Sequence, residues 1–193
     1  MNGLIHDRKA YLWTDTLLST QDGKTPLAHV TKFAIPPSRK WAAILSGSWP
    51  ADDFFIVHKA ILNTKPKTVP QLLKASVKAL HKLDPYGLSA RVLLAVPCKE
   101  YGARLFLVSG DAMPFTAAFE PYETVQYMSA GNGAAGAPCD PETPEQMRQF
   151  IEWQAQLTDT APIAGDLIEI EVSAKGVSLS QLDGYFSESN SDS

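Results

Sequence analysis

Residues 4–18 read LIHDRKAYLWTDTLL, two apolar runs either side of a polar stretch from His6 to Lys9. Tyr11, Leu12 and Trp13 favour a pleated surface, so the pattern predicts two short strands joined by a tight turn. The segment around Gln21-Asp22-Gly23 predicts a further turn. HVTKFAIPP (29–37) and KWAAILSGSW (40–49) follow as apolar runs separated by Pro36-Pro37-Ser38-Arg39, the pattern of neighbouring strands. The first quarter of the chain therefore reads mostly as sheet.

Helical spacing appears next. In PADDFFIVHKAIL (50–62), Phe54, Val57, His58, Ile61 and Leu62 recur every three to four residues behind Asp52 and Asp53, acids suited to a first turn. VPQLLKASVKALHKL (69–83) repeats Leu72, Leu73, Ser76, Val77 and Leu80 in the same way. ARVLLAVPCKE (90–100) and ARLFLVSGD (103–111) return to strand character around Tyr101-Gly102. MSAGNGAAGAP (128–138) is too rich in Gly and Ala for a regular strand. In PETPEQMRQFIEWQAQL (141–157), Thr143 before Pro144 predicts an N-cap, with a buried stripe of Met147, Phe150, Ile151 and Leu157. LIEIEVSAKGVSLSQL (167–182) alternates as a strand with one wet side and a turn at Lys175-Gly176. Antiparallel hairpins with segregated helices predict an α+β domain of two sheets packed face to face with helices outside. One domain over residues 1–186 is expected, with 187–193, SESNSDS, as a disordered tail.

Composition narrows the function classes. The chain has 193 residues, 17 Lys+Arg against 21 Asp+Glu, a net charge of −4 and 45% hydrophobic residues, enough apolar content for a core. A mild acidic balance without a basic stripe argues against nucleic acid as partner. No run approaches the roughly 20 apolar residues that span a bilayer, so no membrane partner and a cytoplasmic location are expected. Two cysteines, Cys98 and Cys139, without a ligand-type spacing predict neither a disulfide framework nor a metal site. His6, His29, His58 and His81 form no HExxH or HxxxH pattern. Neither a phosphate-binding loop nor a GxSxG elbow is present, and Gly131-Asn132-Gly133 lacks the spacing of a dinucleotide fingerprint. No cofactor is expected. The bland use of Trp13, Trp41, Trp49 and Trp153 is core or interface filling.

A pattern spread over most of the chain remains: Trp13-Thr14-Asp15-Thr16, then Val30-Thr31-Lys32-Phe33, then Ala43-Ile44-Leu45-Ser46-Gly47-Ser48 leading into a helix, and VQYMSAGNG at 125–133. It resembles the proteasome-like N-terminal-nucleophile (Ntn) hydrolases, both proteasome β subunits and the peptidase subunit of the bacterial two-component ATP-dependent protease. That resemblance implies a four-layer αββα sandwich. In the family the first residue of the mature chain, usually threonine, attacks the substrate while its own α-amine acts as base. A lysine lowers the nucleophile's pKa, an aspartate holds the lysine, and a glycine N–H forms the oxyanion hole. The resemblance assigns these roles to Lys32, Asp15 and Gly47, with Asn132 and Asp159 around the amine. It also implies a homo-oligomer, with an ATPase unfoldase or a peptide substrate as possible partner.

The family's threonine would fall roughly two residues before Met1, and Met1, Asn2 and Gly3 offer no hydroxyl or thiol to act as nucleophile. The expectation is a non-catalytic, self-assembling or binding subunit that keeps Asp15 and Lys32 as an ion pair. The alternative is an active threonine-type peptidase or amidohydrolase whose true or processed start lies upstream.

Overall fold

A computed structural model describes residues 1–19, 25–47, 68–82, 90–124, 126–129, 137, 140–157 and 163–186. The turn at Gln21–Gly23, the helix expected over 50–62, most of the Gly/Ala-rich stretch and residues 187–193 lie outside the described residues, as do Trp49, His58 and Cys139.

The opening stretch forms β1 (Asn2–His6) and β2 (Lys9–Asp15), paired antiparallel from Asn2↔Trp13 to His6↔Lys9. Asp7 and Arg8 make the turn, both with positive φ (47° and 63°), the backbone that lets a two-residue connection follow the strands' own twist. Next come β3 (Leu17–Ser19) and β4 (Pro26–His29), which pair with each other as a separate hairpin. After them come β5 (Phe33–Ala34), β6 (Ala42–Gly47), helix α1 (Val69–His81), β7 (Ala90–Cys98) and β8 (Gly102–Ser109). The chain continues through β9 (Tyr122–Thr124), β10 (Tyr127–Ser129), helix α2 (Pro144–Ala155), β11 (Leu167–Ser173) and β12 (Gly176–Leu182).

The strands build two five-stranded antiparallel sheets, β10-β1-β2-β11-β12 and β5-β6-β7-β8-β9. Strand alternation divides their side chains into three clusters. Leu12 of β2, Ile168 and Ile170 of β11, Ile44 of β6, Leu93 of β7 and Leu105 and Leu107 of β8 share one core between the sheets. Leu45, Val92, Leu94, Phe106 and Val108, on the other face of the second sheet, pack against Leu72, Ala79 and Leu80 of α1. Leu4, Tyr11, Trp13 and Leu167, on the other face of the first sheet, pack against Met147, Phe150 and Ile151 of α2. β1 lies tight against the second sheet at Gly3, where an added Cβ would stand 2.7 Å from Leu93 Cδ2 and 2.9 Å from Leu105 Cδ2. A side chain there would require those two leucines to shift.

Helix starts follow their local chemistry. Thr68 caps α1 by accepting from the Gln71 amide at 3.4 Å, with Pro70 in the first turn. At α2, Thr143 Oγ1 accepts from the Gln146 amide and Gln146 Oε1 from the Thr143 amide, both at 3.2 Å, a reciprocal capping box.

Two expectations need correction. The helix predicted to run to Leu157 ends at Ala155, and the stripe position given to Leu157 belongs to Gln154, which is buried because its amide is satisfied by Asn2 and Ser129. The run 29–37 is not one strand: Val30 donates to Thr16 O at 2.8 Å, Lys32 turns towards β2, and only Phe33 and Ala34 pair with β6. Trp13 and Trp41 are buried in the fold, so neither is free for an interface.

Candidate functional site

β2 delivers the first element of the site. Its inward residues are fixed by the shared core, and the strand ends at Asp15, which faces Leu167 of β11. Lys32 comes from the other sheet's side, in the link between β4 and β5. Its carbonyl accepts from the Leu45 amide of β6 at 2.8 Å, which anchors the backbone while the side chain reaches across. Lys32 Nζ donates to Asp15 Oδ1 at 2.8 Å, with the two side chains 16% and 11% exposed. Asp15 Oδ2 is buried and has no hydrogen-bond partner among the described residues. A carboxylate oxygen in that condition is costly, so the Lys32 contact matters to Asp15 more than an exposed ion pair would.

The α-amine of Met1 is buried at the same place. Burial is the largest influence on it and pushes its pKa down from 8.0 to about 6; Asp15 opposes the shift, and the positive charges of Lys32 and Arg91 reinforce it. At neutral pH the amine is mostly uncharged, with a lone pair able to accept a proton. Met1 itself brings a thioether, which carries no acidic hydrogen.

Gly47 closes β6, two residues beyond the Leu45 amide that holds Lys32, and pairs with Ala90 of β7. Its φ of 152° lies outside what side-chain-bearing residues readily adopt. Asp15, Lys32 and Gly47 thus sit at one end of the two sheets. Asn132 and Asp159 lie outside the described residues.

Two groups of residues at this end were not singled out from sequence. Asn2 Nδ2 donates to Gln154 Oε1 and Gln154 Nε2 to Ser129 Oγ, each at 3.0 Å, beneath α2. This chain of buried amides ties the start of β1 to β10 and to the helix. Arg91, the first inward residue of β7, has its Nε buried without a partner among the described residues. A lone cation at the head of the apolar run ARVLLAV was the available signal. Further along, Thr16 Oγ1 accepts from the Asp166 amide at 3.0 Å and lies 2.9 Å from His29 Nδ1. Gly165, at φ +81°, permits the close approach of His29. Among the described residues no group of three or more His, Cys, Asp or Glu side chains could hold a metal ion, and no helix is long and apolar enough to cross a membrane.

No family model matches the sequence, and no curated protein matches it. The structure does find similar solved structures. Anbu from Hyphomicrobium sp. strain MC1, a bacterial proteasome-like protein of the Ntn-hydrolase kind, is similar over 95% of this chain and 87% of its own, with a TM-score of 0.66 and 8% sequence identity. The fold is proteasome-like. At so low an identity the likeness concerns backbone architecture, and the roles of individual residues rest on the chemistry at the site.

Proposed function

We propose that this chain is a proteasome-like subunit of the four-layer αββα kind that assembles with copies of itself and does not hydrolyse peptide bonds. The observation that carries this reading is the buried Lys32–Asp15 pair, in which the lysine's charge is already matched by the aspartate, with the Met1 amine under the influence of both. Asp15 and Lys32 then serve as a structural ion pair. Gly47, Asn132 and Asp159 are the remaining positions of a site no longer used for cleavage. A single domain over 1–186, a disordered 187–193 and a cytoplasmic setting belong to the same reading, with an ATPase unfoldase or a peptide as further possible partner.

Self-assembly draws support from the sheet edges. β5, β9 and β10 end their sheets with strands of two or three residues, whereas β12 is a seven-residue edge, GVSLSQL, without one charge. Its last five residues are exposed, Leu179 and Leu182 among them. Monomeric sheets usually protect such an edge with charge, proline or brevity.

A second reading is an active Ntn peptidase or amidohydrolase whose chain begins upstream of Met1. It is favoured by the amine held near neutrality and by the unused oxygen of Asp15, both suited to proton transfer.

Sedimentation at micromolar concentration, with hydrolysis of a fluorogenic peptide amide by the wild type and Lys32→Ala, tests the proposal. A defined ring or stack with no turnover in either protein is expected. A clean monomer overturns the assembly, and turnover that disappears in Lys32→Ala establishes the second reading.

A further inference from the structure

Among the described residues β12 pairs only with β11, so its other side is an open sheet edge. The hairpin turns over Ala174 and Lys175, between the register partners Ser173 and Gly176, and along an antiparallel ladder hydrogen-bonded and non-bonded pairs alternate. Arg39 shows which residues face out. Its Nε donates to Val177 O at 2.9 Å, so the Val177 carbonyl points away from β11. By the same alternation Leu179 and Gln181 turn their N–H and C=O groups to the open side, while Ser178 and Ser180 bond β11. Leu179 is 37% exposed, and Ser178 to Asp183 are all exposed.

This edge is complementary to itself. GVSLSQL carries no charge, so two copies meet along it without the like-charge repulsion that protects other edges. Antiparallel pairing about a twofold axis at Ser180 sets Leu179 opposite the partner's Gln181, and Gln181 opposite the partner's Leu179. Every open N–H and C=O group of those two residues is then used. Val177 falls opposite the partner's Asp183, which brings the exposed Arg39, held at Val177 O, beside an exposed carboxylate of opposite sign. A twofold axis at Leu179 would instead run the second strand into the Arg39 guanidinium. On the inner face Leu179 lies diagonal to the partner's Leu179, within reach of a long side chain. An edge paired in this way is consumed, so the contact closes at two copies rather than growing into a fibre.

We propose that the β12 edge takes a second copy of this chain, joining the five-stranded sheets of two protomers into one continuous antiparallel sheet across a twofold axis at Ser180. The proposal names the interface of the self-assembling subunit above and rests on that reading.

Ser180→Cys, in a full-length chain whose Cys98 and Cys139 are replaced by serine, is oxidised at micromolar concentration. Position 180 meets its own copy in a non-hydrogen-bonded pair, where Cβ atoms come closest, so a disulfide-linked dimer is expected on a denaturing gel. Ser178→Cys in the same background stands roughly 13 Å from its own copy in this register and should crosslink far less. Leu179→Lys should shift the wild-type multimers to smaller species in sedimentation, and Asp183→Arg, which sets two cations together at each end, should do the same. Melting temperatures check that each variant folds. Equal crosslinking at 178 and 180, or multimers unchanged by Leu179→Lys, would overturn the proposal and leave the edge to a peptide strand, while the persisting multimers would keep the subunit reading. A wild type that sediments as a monomer would overturn both.

Discussion

Replacing Lys32 by methionine keeps most of the side chain's volume and removes its charge, leaving Asp15 buried. The carboxylate then loses its 2.8 Å partner on Oδ1 while Oδ2 is already without one. Breaking a buried pair from one side typically costs about 3–5 kcal/mol, because the survivor is an uncompensated charge. Side chains that are 16% and 11% exposed retain some water contact, so the lower end, about 3 kcal/mol, is expected here. For a chain of this size that corresponds to a fall in Tm of roughly 6–12 °C. Asp15→Asn, Lys32→Met and the double variant should be unfolded in urea and their midpoints compared at constant m. The double variant should recover much of the loss, giving a coupling of about 2 kcal/mol between the positions. Single losses below about 1 kcal/mol that simply add would refute the view that the pair is buried and mutually dependent, and would place it among exposed bridges of little weight.

Three further outcomes follow from named contacts. Between pH 6 and 8 the unfolded chain binds a proton at its α-amine that the folded chain does not, since the folded value lies near 6 against 8.0. Stability should therefore rise with pH across that window by about 3 kcal/mol, two pKa units at 1.36 each, with this contribution flat below pH 6. Urea midpoints from pH 5.5 to 8.5 measure it, and a level profile would mean that the amine is solvated. Gly102→Ala should lower stability by about 2 kcal/mol or more by thermal melting, because φ is +83° and a Cβ would stand 2.0 Å from Arg8 O. A neutral result would show that the β1–β2 turn does not press on the β7–β8 turn. Thr143→Ala should cost about 1 kcal/mol in denaturant through loss of one half of the capping box, whereas Glu145→Gln in the same turn should stay within about 0.5 kcal/mol.

The parts of the fold that were legible in sequence are those where local chemistry and burial agree. β1–β2, β7–β8 and β11–β12 are hairpins of consecutive segments, each marked by alternation and a polar or glycine turn, and both described helices carry their N-cap threonines. The stretch around Lys32 was harder to read. Its apolar residues suggest one strand, but the backbone is divided between a hairpin with β3, a link to Thr16 and two residues paired with β6, and long-range bonds decide that division. Gln154 was missed for a similar reason: a polar residue on a helix reads as exposed until Asn2 and Ser129, distant in sequence, supply its partners. Asp15 and Lys32 could be paired in advance only through resemblance, since seventeen residues separate them and no spacing rule joins them. The unpartnered Nε of Arg91 is a product of packing around β7, which no sequence pattern displays.

Native mass spectrometry of the protein isolated from its own host reads subunit mass and assembly together. Multimers of one subunit are the result expected for a non-hydrolysing, self-assembling proteasome-like subunit. A subunit whose chain begins with Thr, Ser or Cys upstream of Met1 would contradict it, and would make Lys32 and Asp15 parts of a working hydrolase.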